Sequence, residues 1–167
     1  MKFLIFLISL LHLGGWNTNN NHPNALQQKK MLDTVNAIRA KGCYCGDKYM
    51  KPTQKLEWNE LLYKSAHNQA TDMSENNFFA HYSHDGQDIG QRLDLVGYSW
   101  KVAGENLGEG QKTFEEVLDA WLKSYSHCTM LMNPKVNEMA VAKVGKYWVQ
   151  HFGKQMEQPK MNAQVKN

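Results

Sequence analysis

The order of its apolar patterns is the feature that most constrains this chain. Four segments with helical periodicity come first, and a pair of short strand-like segments follows near the end. Apolar residues spaced three and four apart fall on one face of a helix, which buries that face against a neighbouring element. The periodicity predicts four helices: over 25–41, over 58–75, over 89–96, and one that begins after Thr113, a favourable N-cap.

The strand-like pair predicts a β-hairpin. Residues 138–143 and 146–152 flank the Val144–Gly145 turn, and short strands on either side of a glycine-containing turn are typical of antiparallel pairing. Helices packed on an antiparallel sheet make the fold class α+β. Because no repeat or Pro-rich linker divides the chain, we expect one domain over 26–153 and a disordered tail over 154–167.

Residues 1–15 have the layout of a secretory signal. Lys2 precedes an apolar run over 3–13 that is too short to span a bilayer, and the small pair Gly14–Gly15 follows it. The sequence contains no second apolar stretch of spanning length. We therefore expect an exported chain, secreted or periplasmic, with no transmembrane anchor, in which residues 16–25 form a flexible lead-in.

Composition argues against a nucleic-acid partner. The 19 Lys and Arg exceed the 16 Asp and Glu by only enough to give a formal charge of +3 over 167 residues, and they are evenly spread. Common catalytic motifs are also missing from the sequence: there is no glycine-rich phosphate loop, no HExxH zinc helix and no nucleophile elbow. Any active site must therefore be assembled from scattered residues.

Cysteine usage is consistent with export. The sequence has Cys43, Cys45 and Cys128, and the simplest arrangement in an oxidising compartment is one disulfide and one leftover thiol. We interpret Cys43 and Cys45 as pointing to opposite sides of an extended segment, which makes a bond between these two unfavourable. A cysteine-rich metal knuckle would need a fourth ligand nearby, and the sequence offers none.

Histidines and carboxylates are dense between His81 and His127. Glu105 lies between them, and Glu115 and Glu116 open the fourth predicted helix. Two neutral imidazoles with a flanking carboxylate can hold zinc or another divalent metal, and the same groups can perform acid–base chemistry. Spacing alone does not bring these residues together, so the alternative is a set of ordinary polar residues.

Short segments in a fixed order resemble the CAP superfamily, which is named for cysteine-rich secretory proteins, antigen 5 and the plant pathogenesis-related proteins. The resemblance is to its compact bacterial branch, and it covers nearly all of the expected domain. The segments include Val35–Arg39, Leu56–Asn59, Phe79–His81, Asp85–Gly86, Arg92–Leu93, Gly104–Gly110, Ser126–Cys128, Met132–Pro134 and Tyr147–Gly153.

This resemblance implies an α-β-α sandwich, in which helices cover both faces of a central antiparallel sheet. It also implies a cleft of two histidines and two acids that binds a divalent metal in some members. The matching positions here are His81, Glu105 and His127, with the two histidines as the metal ligands. The bacterial branch joins the cysteine after the second histidine to the cysteine of an upstream Cys-Gly pair, which implies a Cys45–Cys128 disulfide.

The resemblance offers two candidates for the second acid of the cleft. In eukaryotic members it lies three residues after the helix tryptophan, where this chain has Ser124. In the bacterial branch a glutamate of the preceding turn is available, which here is Glu115 or Glu116, and we favour Glu116. Three further positions depart from the usual family residues: Ser126, Met130 and Ala140.

For function, the resemblance implies first an extracellular binding module, whose cleft engages a small molecule, a lipid or a partner protein. The alternative is a metal-assisted hydrolase acting on peptides or cell-wall material, in which Glu105 or Glu116 activates a water molecule beside the metal. A third possibility is a structural envelope protein without a ligand. We interpret His84 and His151 as ordinary surface or strand histidines.

Overall fold

A computed structural model describes residues 22–157 of the chain. The expected signal over 1–15, residues 16–21 of the lead-in and residues 158–167 of the tail lie outside this range. The helices are α1 (Ala25–Lys41), α2 (Glu60–Asn76), α3 (Ile89–Leu95), α4 (Phe114–Lys123) and α5 (Tyr125–Leu131), and the strands are β1 (Cys43–Cys45), β2 (Lys48–Met50), β3 (Glu57–Trp58), β4 (Trp100–Glu109), β5 (Glu138–Val144) and β6 (Tyr147–Gln155).

Four strands form the central sheet in the order β3-β5-β6-β4. The predicted hairpin is present as β5 and β6, and β4 pairs antiparallel with β6 along nearly its whole length. The two-residue strand β3 lies at the other edge and runs parallel to β5. Strands β1 and β2 form a separate antiparallel hairpin. Strand β4 is therefore an edge of the central sheet.

Alternate residues of the hairpin face opposite helical layers. In β5, Met139 and Val141 pack in a core shared with α1, α4 and α5, whereas Ala140 and Ala142 pack in a core shared with α2 and α3. This period of two is what an extended strand requires when both of its faces are covered. The α+β sandwich implied by the resemblance is thus confirmed, but the expected antiparallel sheet is mixed, because β3 runs parallel to β5.

The strongly periodic elements lie where the sequence predicts them. Helix α1 has the predicted bounds, and α4 begins after Thr113, whose side chain accepts a hydrogen bond from the Glu116 amide at 3.2 Å. Helix α2 begins at Glu60 rather than at Trp58. The reason is Asn59, whose side-chain oxygen accepts hydrogen bonds from two amides of the first turn and so fixes the helix start there.

Two elements that the sequence analysis did not predict carry the candidate residues Glu105 and His127. Strand β4 contains Gly104 and Gly108 and is polar at many positions, so no alternation marks it as a strand. Helix α5 has only seven residues and no side-chain hydrogen bond at its N-cap. Both elements depend on packing against the rest of the fold rather than on a local pattern.

Both expected domain boundaries need correction. The lead-in is not flexible over 22–25, because Asn24 and Gln27 form a capping box and Ala25 begins α1. The domain does not end at residue 153, because β6 continues to Gln155 and its last residues pair with the start of β4. Lys154 therefore belongs to the sheet and not to a disordered tail.

The structure contains a disulfide between Cys45 of β1 and Cys128 of α5, the pairing that the resemblance implies. Their Cα atoms are 5.5 Å apart, and Cys43 is a free thiol. The expectation that Cys43 and Cys45 point to opposite sides is wrong, because residues two apart in a strand share a face. Accordingly, the Cys43 sulfur lies 3.8 Å from that of Cys128.

Candidate functional site

A buried carboxylate, that of Glu105, stands at the centre of the site. Its side chain is 3% exposed, and both of its oxygens accept hydrogen bonds. Oε1 lies 2.8 Å from Nδ1 of His81. Oε2 accepts from Nη2 of Arg92 at 2.7 Å and from Nε2 of His151 at 2.8 Å. Three donors from three parts of the chain therefore converge on one acid.

Sheet register and a second set of hydrogen bonds fix this arrangement. Glu105 on β4 lies directly opposite His151 on β6, so the two side chains share one face of the sheet. Arg92, in the last turn of α3, also donates through Nη1 to the carbonyl oxygens of His81 and Gln87, at 2.9 and 2.8 Å. Arg92 therefore holds the loop that carries His81 as well as the carboxylate.

The neighbours of Glu105 on β4 connect the strand to α5. A Cβ atom on Gly104 would lie 2.3 Å from Sδ of Met130, so the missing side chain lets α5 approach the strand backbone. Nδ2 of Asn106 donates to the carbonyl oxygen of His127 and to Gln150, each at 3.2 Å. The Gly-Glu-Asn sequence thus packs α5, binds His81 and anchors His127, in that order.

The hydrogen bonds keep Glu105 ionised. Burial alone would raise the pKa of this carboxyl, but the hydrogen bonds from His151 and His81, together with the nearby positive charges, lower it to about 2. Burial lowers the pKa of His151, which is 0% exposed. His151 is therefore a neutral imidazole that donates its Nε2–H to the carboxylate.

The pKa values of His81 and His127, the two histidines predicted from the sequence, shift in opposite directions. The hydrogen bond to Glu105 raises the pKa of His81, whose side chain is 59% exposed. The pKa of His127 is lowered, first by burial and then by the charge of His81. The charge of His81 reaches His127, so the two rings lie within electrostatic range of each other. His81 comes from the loop after α2, and His127 comes from α5, where its carbonyl oxygen is held by Asn106 of β4.

The donor chemistry of this pair fits a divalent metal. With Nδ1 of His81 bound to Glu105, its Nε2 is the ring nitrogen left for a ligand, and a carboxylate partner commonly orients a metal-binding histidine in this way. In this arrangement Oε1 of Glu105 orients His81, and its Oε2 is shared by Arg92 and His151. Within 22–157, the only three His, Cys, Asp or Glu ligand atoms that all lie within 4.8 Å of one another are the cysteine sulfurs. His81 and His127 therefore have no third His, Cys, Asp or Glu ligand atom grouped with them in the part of the chain that the structure describes.

Glu115 and Glu116, the candidates for the second acid, make their contacts near the start of α4. Oε2 of Glu116 accepts a hydrogen bond from the amide of Lys112 at 2.8 Å, next to the start of α4. Glu115 pairs with Lys30 and lines a cavity of about 450 Å³ beside α1 and α4. His81 and His127 do not line that cavity. In this arrangement neither glutamate is joined to the Glu105 cluster by a hydrogen bond or an ion pair.

Sequence reasoning missed two residues of the cluster, Arg92 and His151. His151 lies in a strand, one of its two expected placements, but it is not an ordinary histidine, since it is fully buried and bonded to Glu105. Its partner is predictable only if β4 is recognised and aligned with β6. Arg92 has no local signal beyond its place in a family-like segment. His84 is exposed, as expected.

The comparisons with known proteins agree with this architecture. The model of the cysteine-rich secretory protein family, CAP, matches residues 32–152. The uncharacterized protein YkwD of Bacillus subtilis is 36% identical over 143 residues, covering 81% of this chain and 51% of YkwD. The uncharacterized membrane protein YlbC of the same organism is 30% identical over 125 residues, covering 75% of this chain and 34% of YlbC. This chain thus spans about half of the first relative and a third of the second.

Solved structures give the same result. An extracellular protein from Bacillus anthracis that contains an SCP domain has a TM-score of 0.68 and 25% identity, covering 77% of this chain and 40% of that one. An outer surface protein from Borrelia burgdorferi has a TM-score of 0.64 and 25% identity, covering 77% of this chain and 92% of that one. Within 22–157, none of the helices has the length and apolar character needed to cross a bilayer.

Proposed function

The chain belongs to the cysteine-rich secretory protein (CAP) family, and on this basis we propose that it is an extracellular binding module. Its cleft, between His81 and His127, holds a divalent metal such as zinc together with a small or lipid ligand. One observation carries the proposal: the buried, ionised Glu105 fixes the ring of the exposed His81, within electrostatic range of His127.

The metal part of the proposal follows from the ligand atoms available. A hydrogen bond to a carboxylate raises the basicity of an imidazole and fixes which ring nitrogen is free, and both effects favour zinc binding. Burial lowers the pKa of His127, so this ring is neutral and able to coordinate at neutral pH. Two protein ligands leave further coordination positions for water or a bound molecule. A metal bound here would supply a Lewis-acidic centre at the mouth of the cleft.

Exposed aromatic side chains support the ligand part. Phe79 is 47% exposed and Tyr82 is 62% exposed, and both are within two residues of His81 in the chain. Phe79 also stacks on Tyr147, with ring centroids 6.3 Å apart. Aromatic surface next to a polar cleft is typical of sites that take a ligand with both apolar and polar parts.

Two observations support an extracellular location. Similar solved structures are described as an extracellular protein and an outer surface protein. The Cys45–Cys128 disulfide is of a kind that persists in oxidising compartments.

We rank the hydrolase alternative lower because its general base is missing from this set. A carboxylate with a pKa of about 2 and both oxygens occupied, as at Glu105, is a poor acceptor for a proton from water at neutral pH. Glu116 is bonded to the backbone near the start of α4. The binding module requires neither residue to take up a proton.

Calorimetric titration with Zn²⁺ tests the proposal. We would use a Cys43→Ser background, so that the free thiol does not compete for zinc. We expect saturable binding of one ion, retained in His84→Ala, an exposed control histidine, and lost in the His81→Ala/His127→Ala pair with the fold intact. Stoichiometric binding that survives in the double variant would overturn the assignment.

A further inference from the structure

Three cysteine sulfurs lie together where β1 meets α5. Cys45 and Cys128 are bonded, and the free Cys43 sulfur is 3.8 Å from that of Cys128. All three sulfurs lie within 4.8 Å of one another. Cys43 and Cys45 face the same side of β1, which pairs with β2 in the register Cys43↔Met50 and Cys45↔Lys48. A thiol is therefore held against a disulfide.

We propose that this cluster is an internal thiol–disulfide exchange site, in which Cys43 attacks Cys128 and releases Cys45. The Cys43 thiol first loses its proton to solvent, and its thiolate forms a new bond to the Cys128 sulfur. The Cys45–Cys128 bond breaks, its electron pair goes to the Cys45 sulfur, and that thiolate takes a proton from solvent. One disulfide and one thiol are present before and after, so the step consumes neither oxidant nor reductant.

Contact and geometry support Cys128 as the sulfur under attack, and they also show what has to move. Exchange requires the attacking sulfur, the attacked sulfur and the leaving sulfur to lie nearly in line. The present cluster is a compact triangle, because a line would place the outer sulfurs farther apart than the 4.8 Å that encloses all three. Cys43 must therefore rotate about its Cα–Cβ bond. The Cys43 side chain is only half-buried, so it is not enclosed on all sides by the core.

The exchange would move the covalent attachment of α5. Shifting the bond from Cys45 to Cys43 moves it two residues along β1, roughly 7 Å of extended chain. Cys128 directly follows His127, so the shift acts on the element that carries one cleft histidine. That effect on the cleft rests on the proposed function, whereas the exchange itself does not depend on it.

Thiol mapping of the unmodified full chain tests the proposal. The protein is held at pH 8.5, quenched in acid, labelled with N-ethylmaleimide at pH 6 in denaturant, and digested with chymotrypsin. Cleavage after Tyr44 separates Cys43 from Cys45, so mass spectrometry can assign the label to either one. We expect one label per chain, divided between Cys43 and Cys45, in proportions independent of protein concentration. Label on Cys43 alone after hours of incubation would overturn the proposal, as would a Cys45 fraction that rises with protein concentration.

Two variants make the outcome unambiguous. Cys43→Ser removes the attacking thiol, so no label is expected at Cys45 under the same conditions. In Cys45→Ser, a glutathione redox buffer should form a Cys43–Cys128 bridge and leave no free thiol. Two free thiols in folded Cys45→Ser, under conditions that fully oxidise the parent chain, would contradict the proposal. If that variant does not fold, the mapping of the unmodified chain still decides.

Discussion

At the scale of single residues, the site depends on a carboxylate that stays ionised although it is buried. Moving a charge out of water is unfavourable unless other groups replace the lost hydration. Around Glu105, Arg92 supplies a full positive charge and two histidines supply N–H donors. Only one of these donors, His81, is exposed, so the cluster presents a single fixed imidazole to solvent.

These shifts predict that acid destabilises the metal-free protein. The folded-state pKa of His151 lies below 6.5, so the unfolded chain takes up this proton first and stability falls as the pH drops below about 6.5. The folded-state pKa of Glu105 is about 2, so its contribution, on the order of 3 kcal/mol, is lost between pH 4.5 and 2. The contribution of His81 to stability has the opposite pH dependence: because its pKa is raised in the folded state, it stabilises the fold at low pH and the effect is lost as the pH rises through that pKa. This contribution is small because the side chain is exposed.

Urea denaturation at a series of pH values in the presence of a chelator measures this directly. Glu105→Gln is the matched variant, since it keeps the shape of the side chain and removes its titration. We expect the loss between pH 4.5 and 2 to be smaller in that variant than in the parent chain. A free energy of unfolding that stays constant from pH 7 to pH 3 would contradict the pKa assignments.

At this scale, sequence reasoning named His81, Glu105 and His127 but missed Arg92 and His151. The first three belong to segments that resemble a family. His151 acquires its role only through the register that places it opposite Glu105, and Arg92 only through the packing of α3. Neither the strand register nor the helix packing can be derived from the spacing of residues along the chain.

At the scale of secondary-structure elements, the loop after α3 is packed tightly against β6. Tyr98 is fully buried, and its hydroxyl donates to Oε2 of Glu138 at 2.6 Å. Its ring covers Gly153, where a Cβ atom would lie 2.2 Å from the tyrosine Oη and 2.6 Å from Cζ. The missing side chain at residue 153 therefore allows the tyrosine ring to lie flat on the strand.

We predict that Gly153→Ala destabilises the fold by about 2 kcal/mol, the usual cost of overpacking a core. A buried aromatic ring cannot give way as the end of a flexible side chain can, so the strand or the ring must shift. Chemical denaturation measures the change, with Lys154→Ala on the same strand as the control. A loss of unfolding free energy no larger than that of the control would contradict the prediction, because it would show that a methyl group at residue 153 fits beside Tyr98.

Elements with a strong local pattern were predicted, and those without one were not. Helices α1 and α4 and the β5–β6 hairpin follow from periodicity, capping and turn residues. Strand β4 was missed because glycines and polar residues interrupt its alternation. Helix α5 was missed because it has no side-chain hydrogen bond at its N-cap and only two buried residues, Cys128 and Leu131. These two elements carry Glu105 and His127. The sequence therefore identified these two residues but not the elements that position them.

At the scale of the whole molecule, one covalent bond links distant parts of the chain. The Cys45–Cys128 disulfide joins residues 83 positions apart and ties α5 to β1. In the chain-entropy model, closing a loop of this length stabilises the fold by roughly 4 kcal/mol. Buried Arg39 acts on the same region, donating from α1 to the carbonyl oxygens of Leu131 and Asn133.

We therefore predict that Cys128→Ser lowers the free energy of unfolding by about 4 kcal/mol, because it removes any bridge to β1. Cys43→Ser is the control, since it removes a thiol and leaves the disulfide in place. Denaturation without reductant compares the two variants. If Cys128→Ser were as stable as Cys43→Ser, the bond would not be what holds α5 to β1.

The sandwich brings the site together at the β4 edge of its sheet. Glu105, His151 and Arg92 meet on the face covered by α2 and α3, whereas His127 comes from α5 in the opposite layer. His81 and His127 are 46 positions apart in the chain, and the proposed metal site requires edge strand β4 to lie between the layers from which they come.

The most direct test of this account is a zinc titration of the Cys43→Ser protein followed through its histidine ring nitrogens by ¹⁵N NMR. At one equivalent of zinc, we expect Nε2 of His81 and a ring nitrogen of His127 to shift to metal-bound values. His151 should keep its Nε2–H donated to Glu105. Unchanged signals from His81 and His127, or zinc bound through His151, would contradict the account.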